Sequence, residues 1–405
     1  MATIAPFRAL RPAPEAAARV AAVPYDVVSA EEAQALAAGN PLSFLHVSRA
    51  EIDLPPGTNP YADAVYGKAV ENFTALKEKA PLVVEEAPSL YVYRLRMGTH
   101  VQTGIAAAFS VDEYDADLIK KHEKTRRDKE DDRTRHILEL RAQTGPVFLT
   151  YKASPAVDSV VEQTTARPPL FDFTAVDGVR HTIWQVNAAG ERALADAFAR
   201  IPSLYIADGH HRAASAARVR QELRGASGAR GAWDRFLAVA FPDNQMQVLP
   251  YNRIVRDLGA YTPESLLTEL HQGFTVLEGT PAPARKGQVS MFLMDEWHTI
   301  DLGVSPPGTP AVDRLDVSRL QDLVLTPLLG IGDVRTDKRI DFVGGARGTA
   351  ALEEAVRSGK AAVAFSMYPV SVEDLMTISD AGGIMPPKST WFEPKLRDGL
   401  LSYMI

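Results

Sequence analysis

The chain has 405 residues, and 46% of them are hydrophobic, so it can bury a large core spread over two or three domains. Its formal net charge of −7 argues against a dedicated DNA-binding protein, because contacts to phosphates need an excess of lysine and arginine. It contains no cysteine, which excludes disulfides, zinc sites with cysteine ligands, iron–sulfur clusters and thiol nucleophiles.

No targeting or membrane segment is evident in the sequence. The N-terminal segment is interrupted by Pro6, Pro12 and Pro14, and it has no continuous apolar core of signal-peptide length. No stretch approaches the ~20 apolar residues that a membrane-spanning helix needs. We therefore expect a cytoplasmic protein that acts without a membrane.

The first region, residues 1–145, mixes short strands and helices. Residues 20–29 have the pattern of a strand that leads into a Pro-Tyr-Asp turn, after which Ser29 can cap a helix that ends at Gly39. The spacing of apolar residues predicts a helix over 61–79. The two apolar runs on either side of "GTH" predict a β-hairpin.

The second region, residues 146–260, begins with "GPVFLTY", which has the pattern of a buried strand. A strand "SLYIA", a helix "RAASAARVRQEL" and a strand "RFLAVAFP" follow in that order. This order predicts a βαβ-like unit.

The third region, residues 261–405, starts with Thr262 and Pro263, which predict the N-cap and the first turn of a helix. Two paired strands are expected at "VSMFLMDEWHTIDLG", and "DVSRLQDLVLTPLLG" has the pattern of an amphipathic helix. Strands and helices then alternate along the remaining sequence. The predicted fold class is therefore α/β or α+β, with a mixed sheet and a C-terminal α/β lobe.

Polar side chains are concentrated in the turn "DGHHR", between a predicted strand and a predicted helix. Gly209 permits a positive φ and a close backbone approach, and the free N–H groups at a helix start favour an anion. His210, His211 and Arg212 add side-chain donors that can grip phosphate oxygens. Asp208 is a candidate Mg²⁺ ligand and a candidate general base. The turn therefore indicates nucleotide or phosphoester chemistry.

Two other interpretations of this turn remain open. In the simpler one, Asp208 caps the helix and the histidines make only local hydrogen bonds. In the other, His210 and His211 bind a metal ion together with His122 or Glu123. Adjacent histidines on a helix point about 100° apart, which suits a shared mononuclear site poorly.

A second polar motif, "HEKT", lies in a segment that is rich in both charge signs. It lacks the second histidine of a zincin motif. Glu123 is a candidate general base or Mg²⁺ ligand, and His122, Lys124 and Thr125 are candidate contacts to the nucleotide phosphates. The alternative is a solvated helix face with mixed ion pairs.

Two further candidates lie elsewhere in the first region. Arg133 is a candidate phosphate contact, and because it lies three residues before His136, both can face the same cleft. Asp26 of the Pro-Tyr-Asp turn can place a catalytic base in that cleft. A surface ion-pair network and an Asp-capped turn are the alternatives for these residues.

The C-terminal segment "PPKSTWFEPK" combines stiffening prolines with polar and basic side chains. Lys388, Ser389, Thr390 and Lys395 are therefore candidate contacts to a phosphate or nucleotide. The alternative is a terminal strand that packs its two aromatic side chains and exposes its lysines.

The sequence as a whole resembles a large family of bacterial and archaeal proteins that is defined by a domain of unknown function. The motifs that carry the resemblance are Pro24–Asp26, His122–Thr125, Asp132–Arg133, Asp208–Arg212 and Met385–Lys395. They follow the family's order and extend over nearly the full chain.

The "DGHHR" turn also resembles the phosphate-binding signature of the ParB/sulfiredoxin-like fold, and archaeal free-serine kinases carry the same five residues. The resemblance implies a ParB/sulfiredoxin-like core around a turn that holds phosphate. Sulfiredoxins have a cysteine where this chain has His210, so repair of sulfinic acid is excluded. DNA partition like that of ParB is not expected, because no helix-turn-helix with a basic surface is evident.

These observations lead to one expected function and two alternatives. We expect a phosphotransferase that depends on ATP or ADP and on Mg²⁺ and acts on a small hydroxyl compound, with free serine as the best candidate. The alternatives are a phosphatase of phosphoserine or a similar ester, and a non-enzymatic regulator that binds nucleotide. The expected partners are a nucleotide and a small-molecule substrate, without nucleic acid or membrane, and the sequence does not give the oligomeric state.

Overall fold

The computed structural model describes residues 1–79 and 82–405, except the side chains of residues 226 and 227. The strands are β1 (Ile4–Ala5), β2 (Ala9–Arg11), β3 (Val83–Val84), β4 (Tyr91–Met97), β5 (His100–Ser110), β6 (Ile119–Lys120), β7 (Ala142–Gln143), β8 (Val147–Tyr151), β9 (Phe171–Thr174), β10 (Arg180–Gln185), β11 (Leu204–Asp208), β12 (Arg235–Pro242), β13 (Gln247–Leu249), β14 (Tyr251–Val255), β15 (Thr275–Glu278), β16 (Gln288–Leu293), β17 (Glu296–Asp301), β18 (Ile340–Gly344), β19 (Val363–Met367), β20 (Trp391–Glu393) and β21 (Ser402–Met404). The α-helices are α1 (Ala17–Val20), α2 (Ala30–Ala37), α3 (Leu45–Ser48), α4 (Asp63–Lys79), α5 (Val111–Asp115), α6 (Arg127–Leu140), α7 (Pro155–Thr165), α8 (Ala188–Phe198), α9 (His210–Ser227), α10 (Pro263–Gly273), α11 (Asp316–Leu320), α12 (Ala350–Arg357) and α13 (Val372–Asp380).

The chain divides into two compact units. The first unit comprises Met1–Lys121, Thr125–Met246 and Pro394–Ile405, and the second comprises His122–Lys124 and Gln247–Glu393. The C-terminal residues therefore belong with the N-terminal half of the chain. The division into the regions 1–145, 146–260 and 261–405 stays a prediction.

The first unit is built on a mixed sheet with the strand order β6-β11-β8-β12-β5-β4-β10-β9, and β1 pairs with β5. The pairs β6–β11 and β8–β12 are parallel, whereas β4, β5 and β10 pair with antiparallel neighbours. Phe109, Tyr151, Phe198 and Phe236 belong to one apolar core that this sheet forms with its helices. The predicted β-hairpin is confirmed as β4 and β5.

A second apolar core in the first unit holds the N-terminal helices α2, α3, α4 and α6 together. Phe44 and Phe73 meet edge to face in this core, with ring centroids 6.1 Å apart. Helix α2 begins as predicted at Ser29, whose hydroxyl accepts from the backbone N–H of Glu32 while the Glu32 carboxylate accepts from that of Ser29. The predicted helix over 61–79 is confirmed as α4.

The second unit contains an antiparallel sheet with the strand order β15-β17-β16-β19-β14-β18, and β13 pairs separately with β20. Phe292 and Leu352 belong to its apolar core. Helix α10 starts as predicted, because Thr262 caps it and Pro263 occupies its first turn. The paired strands predicted at "VSMFLMDEWHTIDLG" are β16 and β17.

Three local predictions need correction. The βαβ-like unit is wrong, because β8 lies between β11 and β12 and pairs antiparallel with one and parallel with the other. The strand expected at 20–29 is reduced to one bridge between Ala22 and Asp398, since helix α1 occupies the preceding residues. The helix expected after residue 315 is short, because α11 changes into a π-helical turn at Gln321–Leu325.

The fold class is mixed α/β, as the sequence predicted. That the sheet around "DGHHR" is a ParB/sulfiredoxin-like core stays a prediction. Within residues 1–79 and 82–405, no helix has both the length and the apolar character that a membrane span requires.

We expect Gly104→Ala to destabilise the first unit, because a Cβ at this position of β5 would lie 2.6 Å from the Ala240 carbonyl oxygen in the neighbouring strand. Such overpacking should cost ~1–3 kcal/mol of unfolding free energy. Gly67→Ala is the matched control, because a Cβ at this position of α4 meets nothing within 4 Å. The control should gain ~0.5–1 kcal/mol. Urea unfolding of both variants measures the difference, and equal midpoints would contradict the close approach of β5 and β12.

Candidate functional site

The turn between β11 and α9 presents Asp208 at the end of a buried strand. Gly209 has φ +93°, a left-handed conformation that favours glycine, and α9 begins at His210. A Cβ on Gly209 would lie 2.8 Å from Nε of Arg212, so the absence of a side chain at this position leaves room for the guanidinium. The N-cap position of this helix is Gly209, so the interpretation of Asp208 as the N-cap residue is wrong.

Asp208 is held between two basic side chains. Nζ of Lys395 and Nη2 of Arg212 each lie 3.3 Å from the same oxygen, Oδ2. Both cations are nearly buried, with exposed side-chain fractions of 11% and 9%. Burial acts to raise the pKa of Asp208, but Lys395 and Arg212, with a smaller effect of His210, hold it well below its usual range. Asp208 is therefore ionised at neutral pH.

The Arg212 guanidinium is anchored inside the protein. Its Nη1 donates to the carbonyl oxygen of Pro146, and its Nε has no hydrogen-bond partner among the described residues. Burial acts to lower the pKa of Arg212, but the carboxyl groups of Asp208, Asp26 and Asp398 raise it above its usual value. Arg212 is thus a permanent positive charge that several carboxyl groups share.

The two histidines of the turn have different environments. His210 is buried. His211 is partly exposed, and its Nε2 lies 3.0 Å from the backbone N–H of Arg126, which donates to it. Because Nε2 accepts this bond, the proton of neutral His211 is on Nδ1. The adjacent Thr125 donates its hydroxyl to Glu130.

Asp398 is a site residue that the sequence analysis missed. Its side chain is buried, and its Oδ1 has no hydrogen-bond partner in the described part of the chain. Burial raises the pKa of Asp398 to about 7, although Arg212 acts to lower it. Asp26 acts on the same group and is itself exposed. The available signal was a charged residue in an apolar C-terminal stretch, three positions after Lys395.

Arg133 and Tyr25 also belong to this part of the first unit. The Arg133 guanidinium lies 4.1 Å from the centroid of the Tyr25 ring and pairs with Asp132 at 2.8 Å. His136, three residues further on, places its Nε2 3.1 Å from the carbonyl oxygen of Val47. In the Pro-Tyr-Asp turn, the sequence pattern points to Asp26 and gives no signal for Tyr25.

The second unit brings the start of "HEKT" to the C-terminal motif. The backbone N–H of Met385 donates to the carbonyl oxygen of His122 at 2.8 Å, and Oγ1 of Thr390 lies 3.5 Å from Nε2 of His122. Ser389 is buried and donates its hydroxyl to the carbonyl oxygen of Pro386. These contacts hold His122 against the segment Met385–Thr390 within this unit.

The other predicted residues of the second unit are more exposed. Lys388 is exposed, with φ +59° and Nζ 5.3 Å from the centroid of the Tyr251 ring. Glu123 is half-buried, and Lys124 is exposed. The predicted site residues of the first unit are thus Asp26, Thr125, Arg133, Asp208–Arg212 and Lys395, and those of the second are His122–Lys124 and Lys388–Thr390.

Across the described ranges, no group of three or more His, Asp or Glu side chains is placed to hold a metal ion. The alternative of a metal site built on His210 and His211 therefore has no support. Asp208 can still be one ligand of Mg²⁺, because this ion commonly takes only one or two protein carboxylates and completes its shell with phosphate oxygens and water.

The sequence pattern of a family described as "Protein of unknown function (DUF1015)" matches residues 4–318. No curated protein matches the sequence significantly.

Solved structures with a similar fold include a truncated SbnI from Staphylococcus aureus, with 13% identity, a TM-score of 0.39, and coverage of 74% of this chain and 87% of that chain. A conserved hypothetical protein from Pyrococcus furiosus has 17% identity and a TM-score of 0.36, and covers 74% and 95% of the two chains. A free serine kinase in complex with AMP has 14% identity and a TM-score of 0.36, and covers 73% and 92%. Likenesses this distant carry no inference about activity.

The raised pKa of Asp398 predicts a pH dependence of stability. Its pKa is about 7 in the folded protein against an ordinary value of 3.8, so the native state keeps a proton that the unfolded chain releases between these values. The free energy of unfolding should therefore fall by up to about 4 kcal/mol as pH rises through this window. Above the window, this contribution should no longer change with pH. Asp398→Asn should remove this component. Urea unfolding at about pH 5 and pH 8 compares the two proteins, and a difference that does not change with pH would contradict the assignment.

Proposed function

We propose that this chain, which belongs to the DUF1015 family, is a nucleotide- and Mg²⁺-dependent phosphotransferase. It acts on a small hydroxyl compound, with free serine as the acceptor. The observation that carries the proposal is the cluster of Asp208, Arg212 and Lys395 at the start of α9. The choice of free serine rests on the resemblance of "DGHHR" to the motif of free-serine kinases.

The cluster has the features of a phosphate-binding site. Arg212 and Lys395 supply two positive charges, and the N–H groups at the start of the long helix α9 add the positive end of its dipole. Gly209 leaves the backbone open to a close approach. A nucleotide phosphate would take over part of the neutralising role that Asp208 and the other carboxyl groups near Arg212 now have.

The low pKa of Asp208 favours one of its two predicted roles, Mg²⁺ ligand, over the other, general base. A general base works best when its pKa is near the working pH, and a carboxylate held well below its usual range is a weak one. We therefore assign Asp208 to Mg²⁺, which would neutralise the phosphate charge. Asp26, which lies in the same unit, remains a candidate for the base, and the role of Glu123 stays a prediction.

The proposed transfer balances as follows. The acceptor hydroxyl oxygen forms a bond to the terminal phosphorus of ATP or ADP, and the bond from that phosphorus to the bridging oxygen breaks. The hydroxyl proton passes to the carboxylate base, and the nucleotide leaves with one phosphate fewer. Such a reaction depends on positioning and on neutralising charge, which fixed cations supply.

Phosphorus NMR of the purified protein with Mg²⁺ tests this function directly. We expect a phosphoserine signal that grows as the nucleotide is consumed, in samples of serine with ATP or with ADP. Phosphoserine alone should stay intact. Inorganic phosphate released from phosphoserine would replace the proposal with a phosphatase, and a nucleotide that binds without any turnover would replace it with a regulator.

Lys395→Gln should weaken binding of the nucleotide about ten- to hundredfold, because a charge-assisted hydrogen bond is worth about 1.5–3 kcal/mol. Lys152→Gln is the matched control, since Lys152 also pairs with an aspartate, Asp243, but on the surface with 62% of its side chain exposed. Calorimetric titration with MgADP measures both affinities. Equal affinities in the two variants would remove Lys395 from the phosphate site.

A further inference from the structure

A polar cleft with a volume of about 180 Å³ lies in the first unit beside α3, α4 and α6. Its lining includes Tyr25, Ser48 and His136, which are all buried, and the more exposed Tyr61 and Lys129. We call it the tyrosine cleft, after Tyr25, Tyr61 and Tyr66 in its walls. No residue of the "DGHHR" turn lines it.

The tyrosine cleft carries more positive than negative charge. Its charged lining residues are Arg49, Glu51, Lys129, Asp132 and Arg133. His136 adds no charge near neutral pH, because burial and the nearby Arg133 lower its pKa to about 3. Three cations thus face two anions, and a ligand with one negative charge would balance the cleft.

Arg133 is the cation best placed to recognise such a ligand. Only 12% of its side chain is exposed, its guanidinium lies over the Tyr25 ring, and Asp132 fixes it from one side. Asp132 is fixed in turn by the Tyr66 hydroxyl, which donates to it at 2.8 Å. A planar guanidinium held in this way suits a carboxylate, which it can bind with two parallel hydrogen bonds.

Ser48 gives a second, independent indication of a ligand. Its side chain is only 4% exposed, and its hydroxyl has no hydrogen-bond partner among the described residues. A buried hydroxyl normally has a partner, so this one is available to a polar group in the cleft.

The size and position of the cleft narrow the choice of ligand. Pockets for drug-sized molecules usually have about 300–1,000 Å³, so a cleft of about 180 Å³ admits a small metabolite rather than a nucleotide. Tyr25, Ser48, Arg133 and His136 also line a smaller cavity whose wall includes Arg212. The tyrosine cleft therefore shares these four residues with a cavity that extends to Arg212 of the proposed phosphate site.

We infer that the tyrosine cleft binds the carboxylate of the acceptor substrate, so that the acceptor is a small hydroxyl compound that carries a carboxylate. That the ligand is the acceptor of phosphoryl transfer rests on the proposed function. The binding of a small carboxylate in the cleft does not depend on it. Arg133, which the sequence predicts as a contact to the nucleotide phosphates, would then bind the acceptor instead.

The test compares Arg133→Gln with Arg135→Gln, a matched control on the same helix whose side chain is 38% exposed and pairs with Asp63. The probes are L-serine, glycerate and ethanolamine, titrated into each protein in the presence of MgADP. Wild type and the control should bind L-serine and glycerate, and ethanolamine, which lacks the carboxylate, should bind at least tenfold more weakly. Arg133→Gln should lose at least tenfold in affinity for both carboxylates and keep its affinity for MgADP.

Arg133→Lys is a second variant that separates lost binding from a folding defect, because it keeps the charge and loses the planar guanidinium. It should fold with an unchanged urea midpoint. It should still bind the carboxylates more weakly than wild type. Ethanolamine binding as well as L-serine, or an Arg133→Gln variant that loses only MgADP, would overturn the inference. Carboxylate binding without any phosphoryl transfer would uphold the cleft and reject the proposed function, so the two failures are distinguishable.

Discussion

The ion pair between Asp208 and Lys395 is the contact on which the first-unit site depends. It joins the turn after β11 to a residue 187 positions further along the chain, and Arg212 shares the same carboxylate oxygen. All three side chains are largely withdrawn from water, where a charge without a partner costs far more than a pair contributes. The C-terminal segment must therefore be held firmly enough to keep Lys395 at the turn.

A buried chain of hydrogen bonds supplies that restraint two residues after Lys395. Nε of Arg397 donates to Nε2 of His181 at 3.1 Å, and the same guanidinium pairs with Asp177. Burial and the charge of Arg397 lower the pKa of His181 well below its usual value, so the ring is neutral. Since Nε2 accepts from Arg397, the ring proton is on Nδ1 and is donated to the Tyr93 hydroxyl oxygen 2.9 Å away. Strands β4 and β10 thus anchor the segment that delivers Lys395.

Local chemistry could be predicted from the sequence, and long-range pairing could not. The caps at Ser29 and Thr262 and the hairpin of β4 and β5 depend on neighbouring residues, which the sequence displays directly. The place of β8 between β11 and β12 depends on partners far along the chain, so the predicted βαβ-like unit was wrong. Asp398 and Tyr25 were missed for the same reason, because only burial by distant segments distinguishes them from ordinary polar residues.

Two carboxyl groups share the charge of Arg212 in opposite ways. Asp208 has Lys395 as a second cation and stays ionised, whereas Asp398 is buried with one oxygen unpaired and has its pKa raised to about 7. The cluster is therefore already close to electrical balance before any ligand binds. An arriving phosphate would draw on the Arg212 charge that both carboxyl groups need, so its binding requires a further positive charge, either a divalent cation at Asp208 or a proton on Asp398. The residues that favour a bound phosphate here therefore also require that a cation or a proton binds with it.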